Sequence, residues 1–348
     1  MPLSVEACYL LRPHGPLRFG AHPDDLTSAR AFPASDTLFG ALTWAAQVVD
    51  GEQAAAAWLE RFTGGEPPVL LSSALPYVQP ERAALIPRPQ RRPAFNEDDA
   101  EREDWDPKAL KRAEYIELPL LSMWRSGLPE TPPVALDQAL VTARLAGRLA
   151  ERAREAKEDQ RPAIWRTVAR PGVALDRRTS ASQVYRYAAT SYGCALAVYA
   201  LADSEETLAR VERWFDVLAR TGFGGRRSRG LGAFTWERID SPLPLSAEPK
   251  GLALSLVWPR PDELKAAALS PPDGFGYRLV ERRGWIASPR WSTERTRTVA
   301  MLGEGSYLNP ALPPVVGGLA DVTPPAPRGR HPVFRYGLGL FLDEERLP

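Results

Sequence analysis

Residues 222–232, GFGGRRSRGLG, set five glycines among three arginines, a serine, a phenylalanine and a leucine, after a helix-patterned run and before a strand-patterned one. A loop of that composition limits what can surround it. Closely spaced glycines let the backbone take positive φ and turn successive N–H groups to one side, a concavity suited to anions. Arg226, Arg227 and Arg229 add planar, charge-assisted donors and Ser228 adds a hydroxyl, a set that fits phosphate oxygens. Two common phosphate loops are excluded. From Gly225 to Gly230 the spacing imitates a P-loop, but Leu231 and Gly232 stand where Lys and Ser or Thr are required. A dinucleotide fold needs its loop after a strand and before a helix, the reverse of the order here. The same residues also suit a glycine-rich hairpin or helix cap with solvated arginines.

The elements around the loop have a definite order. Residues 3–13 read as a first strand. Ser35 or Asp36 is placed to cap a helix through 37–49, with Leu38, Leu42 and Ala45 on one face. A second helical piece, 52–62, stops at Gly64 and Gly65, and 67–76 reads as a strand. From 76 to 171 the order is interrupted by an insertion that is proline-rich and basic at 87–93, acidic to Asp106 and partly helical over 136–157. Strand character returns over 183–201. A helix follows to Thr221, capped by Asp203 or Ser204, with Glu205 and Glu206 in its first turn and Leu208, Val211, Trp214, Phe215 and Leu218 as its apolar stripe. The loop then leads into a strand over 233–239. Without the insertion this is strand, helix, strand, strand, helix, strand, the order of a ferredoxin-like (RRM-like) α+β domain. We therefore expect a domain over 1–242 with its insertion at 76–171, and a smaller β-rich domain over 243–348.

Composition restricts the function classes. The chain has 348 residues, 44% hydrophobic and 25% charged, with a net charge of +1, so any polyanion site has to be local. Thirty-five prolines imply many long connections. Only five of the 44 cationic residues are lysines, which suits planar recognition of phosphate, although an overall arginine bias would give the same count. Acid is concentrated at Glu97, Asp98, Asp99, Glu101, Glu103, Asp104 and Asp106. Cys8 and Cys194 are too few for a disulfide scaffold or a metal knot, so a reducing cytoplasm is expected. The amino terminus lacks a signal-peptide pattern, and the uncharged stretch 187–202 is too short to span a membrane.

Four segments carry a family resemblance. GFGGRRSRGLGAF after a helix resembles the glycine-rich loop of the RAMP superfamily of CRISPR proteins. SDTLFGAL (35–42) resembles the amino-terminal signature of one branch, Csm subunit four of type III-A effector complexes. ADVTPPAPRGRHPVFRYGLGLFL (320–342) looks like that family's carboxy-terminal signature, and ALDRRTSAS (174–182) looks like its central Asp-Arg element. Together they run through nearly the whole chain in the expected order. The acid- and proline-rich segment near 87–107 matches nothing in that pattern.

The resemblance implies a non-catalytic RNA-binding subunit, without cofactor, that grips the 5′ handle of the CRISPR RNA in antiviral defence. It also implies docking of the large polymerase-type subunit, a start for the filament of backbone RAMP subunits, and a second domain that is ferredoxin-like in turn. Carried over by position, Gly222, Gly224, Gly225, Arg226, Arg227, Ser228, Arg229, Gly230 and Gly232 would cradle handle phosphates. Ser35 and Asp36 would cap the first helix or turn its amides toward RNA. Arg177 and Arg178 would contact handle or first spacer nucleotides, with Tyr185 or Tyr187 stacking on a base. The 76–171 insertion would supply a thumb-like projection with Arg88, Arg91 and Arg92 near RNA, or else a disordered surface excursion.

The alternative in the same superfamily is an endoribonuclease that processes CRISPR RNA with histidine in acid-base roles. The chain has three histidines, His14, His22 and His331. His14 and His22 lie in a Gly/Pro-rich loop after the first strand, and no partner constellation or paired-carboxylate motif is evident from spacing. A third class, a protein-binding module whose arginines meet acidic surfaces, leaves the density of glycine unexplained.

Overall fold

The computed structural model describes residues 2–347 except 23–24, 95–101, 103, 156–162, 177, 266–275, 287, 289–290, 292–293 and 326–330. Arg177 and most of the acidic run therefore lie outside the described residues. From the amino end the elements are β1 (Val5–Pro13), a ribbon of β2 (Phe19–His22) and β3 (Asp25–Arg30), helices α1 (Ser35–Asp50) and α2 (Glu52–Thr63), and short strands β4 (Val69–Leu71), β5 (Leu75–Val78) and β6 (Ala83–Pro87). Next come β7 (Tyr115–Glu117), β8 (Val134–Leu136), β9 (Ala139–Val141), a long hairpin of β10 (Trp165–Leu175) and β11 (Ser182–Tyr192), β12 (Ala195–Ala202), the helix Glu205–Thr221 and β13 (Phe234–Ile239). The remainder is β14 (Leu245–Ser246), β15 (Leu279–Arg282), β16 (Val299–Leu302), β17 (Gly317–Asp321), β18 (Phe334–Leu338) and β19 (Phe341–Leu342).

One nine-stranded sheet organises the molecule, in the order β13-β1-β12-β5-β6-β7-β9-β8, with β4 also on β12. β1 lies next to its β13 edge, antiparallel to both β12 and β13. β12 is ALAVYALA and buried at every position, the continuous apolar run expected of a strand covered on both faces. The four-strand order β13-β1-β12-β4/β5 joins the elements predicted for 1–242, with α1 and α2 on one crossover and the helix Glu205–Thr221 on the other. That helix has the predicted stripe, with Leu208, Val211, Trp214, Phe215 and Leu218 buried, and Ser204 is its cap, accepting from the Thr207 N–H at 3.2 Å. Trp58 of α2 meets Trp214 edge-on at 4.7 Å. Each of these fully buried large side chains contributes roughly 1.5–3 kcal/mol.

Three expectations change. Residues 67–76 form two short strands, because the chain breaks at Ser72, whose Oγ accepts from the Tyr199 N–H at 2.9 Å and whose own N–H is bonded to the Tyr199 carbonyl. The stretch 183–201 is likewise two strands: Gly193 turns the chain where a Cβ would lie 2.8 Å from the Ala163 carbonyl, so β11 belongs to the hairpin and β12 to the sheet. Much of the described part of the 76–171 insertion is built into the central sheet. Its strands β6, β7, β8 and β9 extend the central sheet beyond β5, and the β10–β11 hairpin begins within the insertion and ends beyond it.

The carboxy-terminal region is β-rich as expected, built from two-stranded ribbons β14–β19, β15–β16 and β17–β18. It shares the main core: Leu252, Leu254, Tyr336, Leu338 and Leu342 cluster with the buried residues of α1 and β4. Tyr336 lies 4.9 Å from Phe39, and its hydroxyl accepts from the Leu71 N–H at 2.9 Å.

Candidate nucleic-acid interface

The glycine loop follows the helix Glu205–Thr221 and is closed by a hydrogen bond from the Phe223 N–H to the Gly232 carbonyl at 2.9 Å. Glycine is demanded by two of its positions. At Gly232 φ is +97°, and a Cβ would sit 2.5 Å from the Phe223 carbonyl oxygen. At Gly224 φ is +89°, and a Cβ would sit 2.8 Å from the Arg18 carbonyl oxygen. Gly225 has ordinary φ, and its N–H donates to Arg18 O at 2.8 Å. The N–H groups of Arg229 and Gly230 close turns onto Arg226 and Arg227. Several amides of the expected concavity are thus spent inside the loop, and the cationic side chains are its main outward donors.

Those side chains are held by rings and carbonyls. Arg226 sits in the left-handed region, φ 63° and ψ 29°, an uncommon state for a residue with a Cβ. Its guanidinium lies 4.5 Å from the Tyr187 ring centroid and 4.9 Å from that of Tyr185, and donates to the Tyr185 hydroxyl. Arg227 lies 5.3 Å over Trp44 of α1. Arg229 is 5.8 Å from the Tyr185 ring and reaches the Val173 carbonyl of β10 at 3.5 Å. None of the three is paired with a carboxylate among the described residues, and Arg227, Ser228 and Arg229 are exposed. Each cation–π contact contributes about 0.5–1 kcal/mol at such a site, enough to orient a guanidinium without neutralising it.

Beneath the loop lies Arg18, which nothing in the sequence singles out. It is 7% exposed, yet its guanidinium donates to the carbonyls of Ala188 at 2.7 Å, Leu26 at 3.0 Å and Ser28 at 3.4 Å. It ties the β2–β3 ribbon to β11, while its own carbonyl seats Gly225. Burial, and then the neighbouring charge of Arg226, push its pKa below the usual arginine value. Phe19 completes the seat, 4.9 Å from Phe223.

The remaining candidates separate. Arg178 is exposed in the turn of the β10–β11 hairpin, its N–H bonded to Asp176 Oδ1 at 2.8 Å. That bond and those to Thr179 hold the Asp176 carboxyl below the usual range. Tyr187 is buried under Arg226 and Leu231, so it offers no open face to a base, whereas Tyr185 is half-exposed across Gly172.

Ser35 and Asp36 do not cap α1. The cap position is Ala34, without a side-chain bond, and both residues are buried. Ser35 Oγ accepts from the Leu256 N–H at 3.1 Å. Asp36 receives Arg282 Nε at 2.9 Å and a second Arg282 nitrogen at 2.7 Å, together with Arg335 at 2.5 Å. Burial alone would raise this carboxyl, but the two guanidiniums outweigh it and hold the pKa well below the ordinary carboxylate range. The amino- and carboxy-terminal signatures thus meet each other in the interior.

Arg88 is held by a bond from its Nε to the Ala113 carbonyl at 3.0 Å, and the Arg91 carbonyl accepts from the Trp124 indole. His14 is exposed and its N–H donates to the Ala233 carbonyl beside the loop. His331 is bonded through Nε2 to Ser288. The side chain of His22 lies outside the described residues. Both cysteines are free and buried, and burial pushes the Cys194 thiol up to about 12. Among the described residues no group of three or more His, Cys, Asp or Glu is arranged to hold a metal, and no helix is long and apolar enough to cross a membrane.

The fold is shared with solved subunits of type III CRISPR complexes. A chain in the crystal structure of the Csm3–Csm4 subcomplex of the type III-A CRISPR-Cas interference complex matches with a TM-score of 0.59 at 16% identity, covering 96% of this chain and 97% of that one. A chain in the Csm1–Csm4 cassette in complex with AMPPNP matches with a TM-score of 0.50 at 19% identity, covering 97% and 98%. At these identities the likeness is one of fold. The sequence supports a narrower statement: residues 246–343 match the family described as the CRISPR Csm4 C-terminal domain. That match covers the carboxy-terminal part of the chain, where the terminal signature resembles the same family. No protein of curated function matches the chain.

Proposed function

We propose that this chain is the non-catalytic subunit of a cytoplasmic type III-A CRISPR effector complex that holds the 5′ handle of the CRISPR RNA. The observation that carries the reading is the glycine loop itself, with three outward arginines oriented by Tyr185, Tyr187 and Trp44 and left without carboxylate partners among the described residues. Such cations suit a polyanion whose phosphates supply the missing charge. Arg178 on the hairpin turn extends the same surface, and Arg177 belongs with it by sequence. Ser35 and Asp36 serve instead to join the first helix to the carboxy-terminal region.

The strand order β13-β1-β12-β4/β5 supports a ferredoxin-like first domain over 1–242, and the β-rich region over 243–348 is read as a second domain seated on its core. The similar solved structures carry Csm3 or Csm1 beside Csm4. By that likeness, the partners here are a backbone RAMP subunit and the large polymerase-type subunit, and no cofactor is invoked.

Filter binding of the full chain to single-stranded RNA with a repeat-derived 5′ handle, across a salt series and with the RNA run on a gel afterwards, tests this. Steeply salt-dependent binding with intact RNA is expected. Binding insensitive to salt would overturn it. Cut RNA would favour the endoribonuclease reading, for which His14, beside the loop at Ala233, is the residue to replace.

A further inference from the structure

Cations also outnumber acids at a second place. A pocket of about 220 Å³ is lined by Arg88, Lys111, Arg112 and Arg278 against the carboxylates of Glu114 and Glu304. The acids are partly committed elsewhere. Glu304 accepts from Ser73 at 2.7 Å and from Arg278 at 3.2 Å, with Arg30 at 3.8 Å. Glu114 has only a long contact from Gln138, 3.5 Å, and Arg112 is paired with Asp106 at 2.9 Å. Arg88 and Lys111 have no carboxylate partner among the described residues, and Arg278 Nε is buried without an acceptor.

Glycines let the backbone pass close to both arginines, to the main chain of Arg88 and to the guanidinium of Arg278. At Gly305, φ +83°, a Cβ would lie 2.4 Å from the Arg88 carbonyl oxygen, and at Gly303 it would lie 2.9 Å from Arg278 Nε. Burial, and then the charge of Arg278, lower the pKa of Arg88, which has no carboxylate partner of its own among the described residues. The pocket is also linked to the glycine loop. Arg30, beside Glu304, is paired across the β2–β3 ribbon with Phe19, which packs on Phe223.

We infer that this pocket is a second anion site, taking a tetrahedral phosphate between the guanidiniums of Arg88 and Arg278, with Lys111 and Arg112 as additional cations. Planar guanidiniums match the oxygen geometry of phosphate, and two of them offset the repulsion from Glu114. The phosphate has two possible sources, the backbone of a bound RNA strand or a free phosphorylated small molecule. The inference stands apart from the glycine-loop reading, because inorganic phosphate alone tests it.

The test titrates inorganic phosphate into the full chain at constant ionic strength, set with sodium chloride, and follows the melting temperature. A saturable rise is expected in the unaltered chain and in a chain with Arg226, Arg227 and Arg229 replaced by Ala. In Arg88→Gln, which keeps an amide donor for the Ala113 carbonyl, the apparent affinity should fall at least tenfold. In the Lys111→Gln/Arg112→Gln double variant, where both side chains are exposed and the fold is not at stake, it should fall severalfold. No rise beyond the chloride control, or the same rise in every variant, would overturn the inference. Handle RNA then identifies the source. A lower salt slope for RNA binding in Arg88→Gln assigns the pocket to the strand, and an unchanged slope in that variant, with its phosphate affinity reduced as expected, assigns it to a free phosphorylated molecule.

Discussion

Two groups of arginines in this molecule are alike in composition and opposite in what surrounds them. Around Asp36, the buried guanidinium of Arg282 and the mostly covered one of Arg335 meet one carboxylate, with Thr37 as a further acceptor for Arg282. Around the glycine loop, Arg226, Arg227 and Arg229 lie on ring faces and reach a hydroxyl and a carbonyl, with no acid among their described partners. The first group is bonded to a carboxylate within the chain and joins its two ends. The second keeps its charge for something outside. The contrast shows that counting cations near a glycine loop matters less than asking which of them the chain has already paired.

The largest effect should come from breaking the group around Asp36. Asp36→Ala leaves the two guanidiniums without their acid, at a cost of about 3–5 kcal/mol, to be read as a lower denaturant midpoint. The same residue predicts a pH dependence. A carboxyl whose folded pKa is depressed contributes stability above its unfolded value of about 4 and loses it as pH falls through the folded value, so acid unfolding should be gentler in Asp36→Asn. Equal acid limbs would remove the ion cluster from the account.

Next in size, Gly232→Val meets both a positive φ and the Phe223 carbonyl and should cost about 1–3 kcal/mol. Replacing Arg226, Arg227 and Arg229 together by Ala should cost about 1.5–3 kcal/mol in urea, the sum of their ring contacts, while RNA affinity falls and the chain stays folded. Gly225→Ala, at ordinary φ with its Cβ 3.5 Å from Arg18 O, should change the melting curve by no more than about 0.5 kcal/mol. Also small, Tyr185→Phe removes the hydroxyl under Arg226 and keeps the ring, so stability should drop by no more than about 1 kcal/mol.

What the sequence made legible was local. The stripe and cap of the helix Glu205–Thr221, the glycine loop after it and β13 beyond all follow from periodicity and capping within one short segment. What escaped was long-range. Asp36 reads as a helix cap because that is the usual role of an acid at a helix start, and its actual partner Arg282 lies 246 positions away. Arg18 is one cation in an ordinary loop until β11 brings the Ala188 carbonyl, 170 positions on, to its guanidinium. Strands β7, β8 and β9 have three residues each, too few to display an alternation, so the 76–171 segment reads as an interruption although it extends the sheet.

The central claim is that the loop arginines are held for RNA while the buried ones are not. It is tested most directly by the salt dependence of handle-RNA binding in the full chain and in the chain with Arg226, Arg227 and Arg229 replaced by Ala. If all three meet phosphates, the slope of log affinity against log salt should become shallower by about two, since each single-strand phosphate contact accounts for roughly 0.7. An unchanged slope in a variant that remains folded would contradict the account.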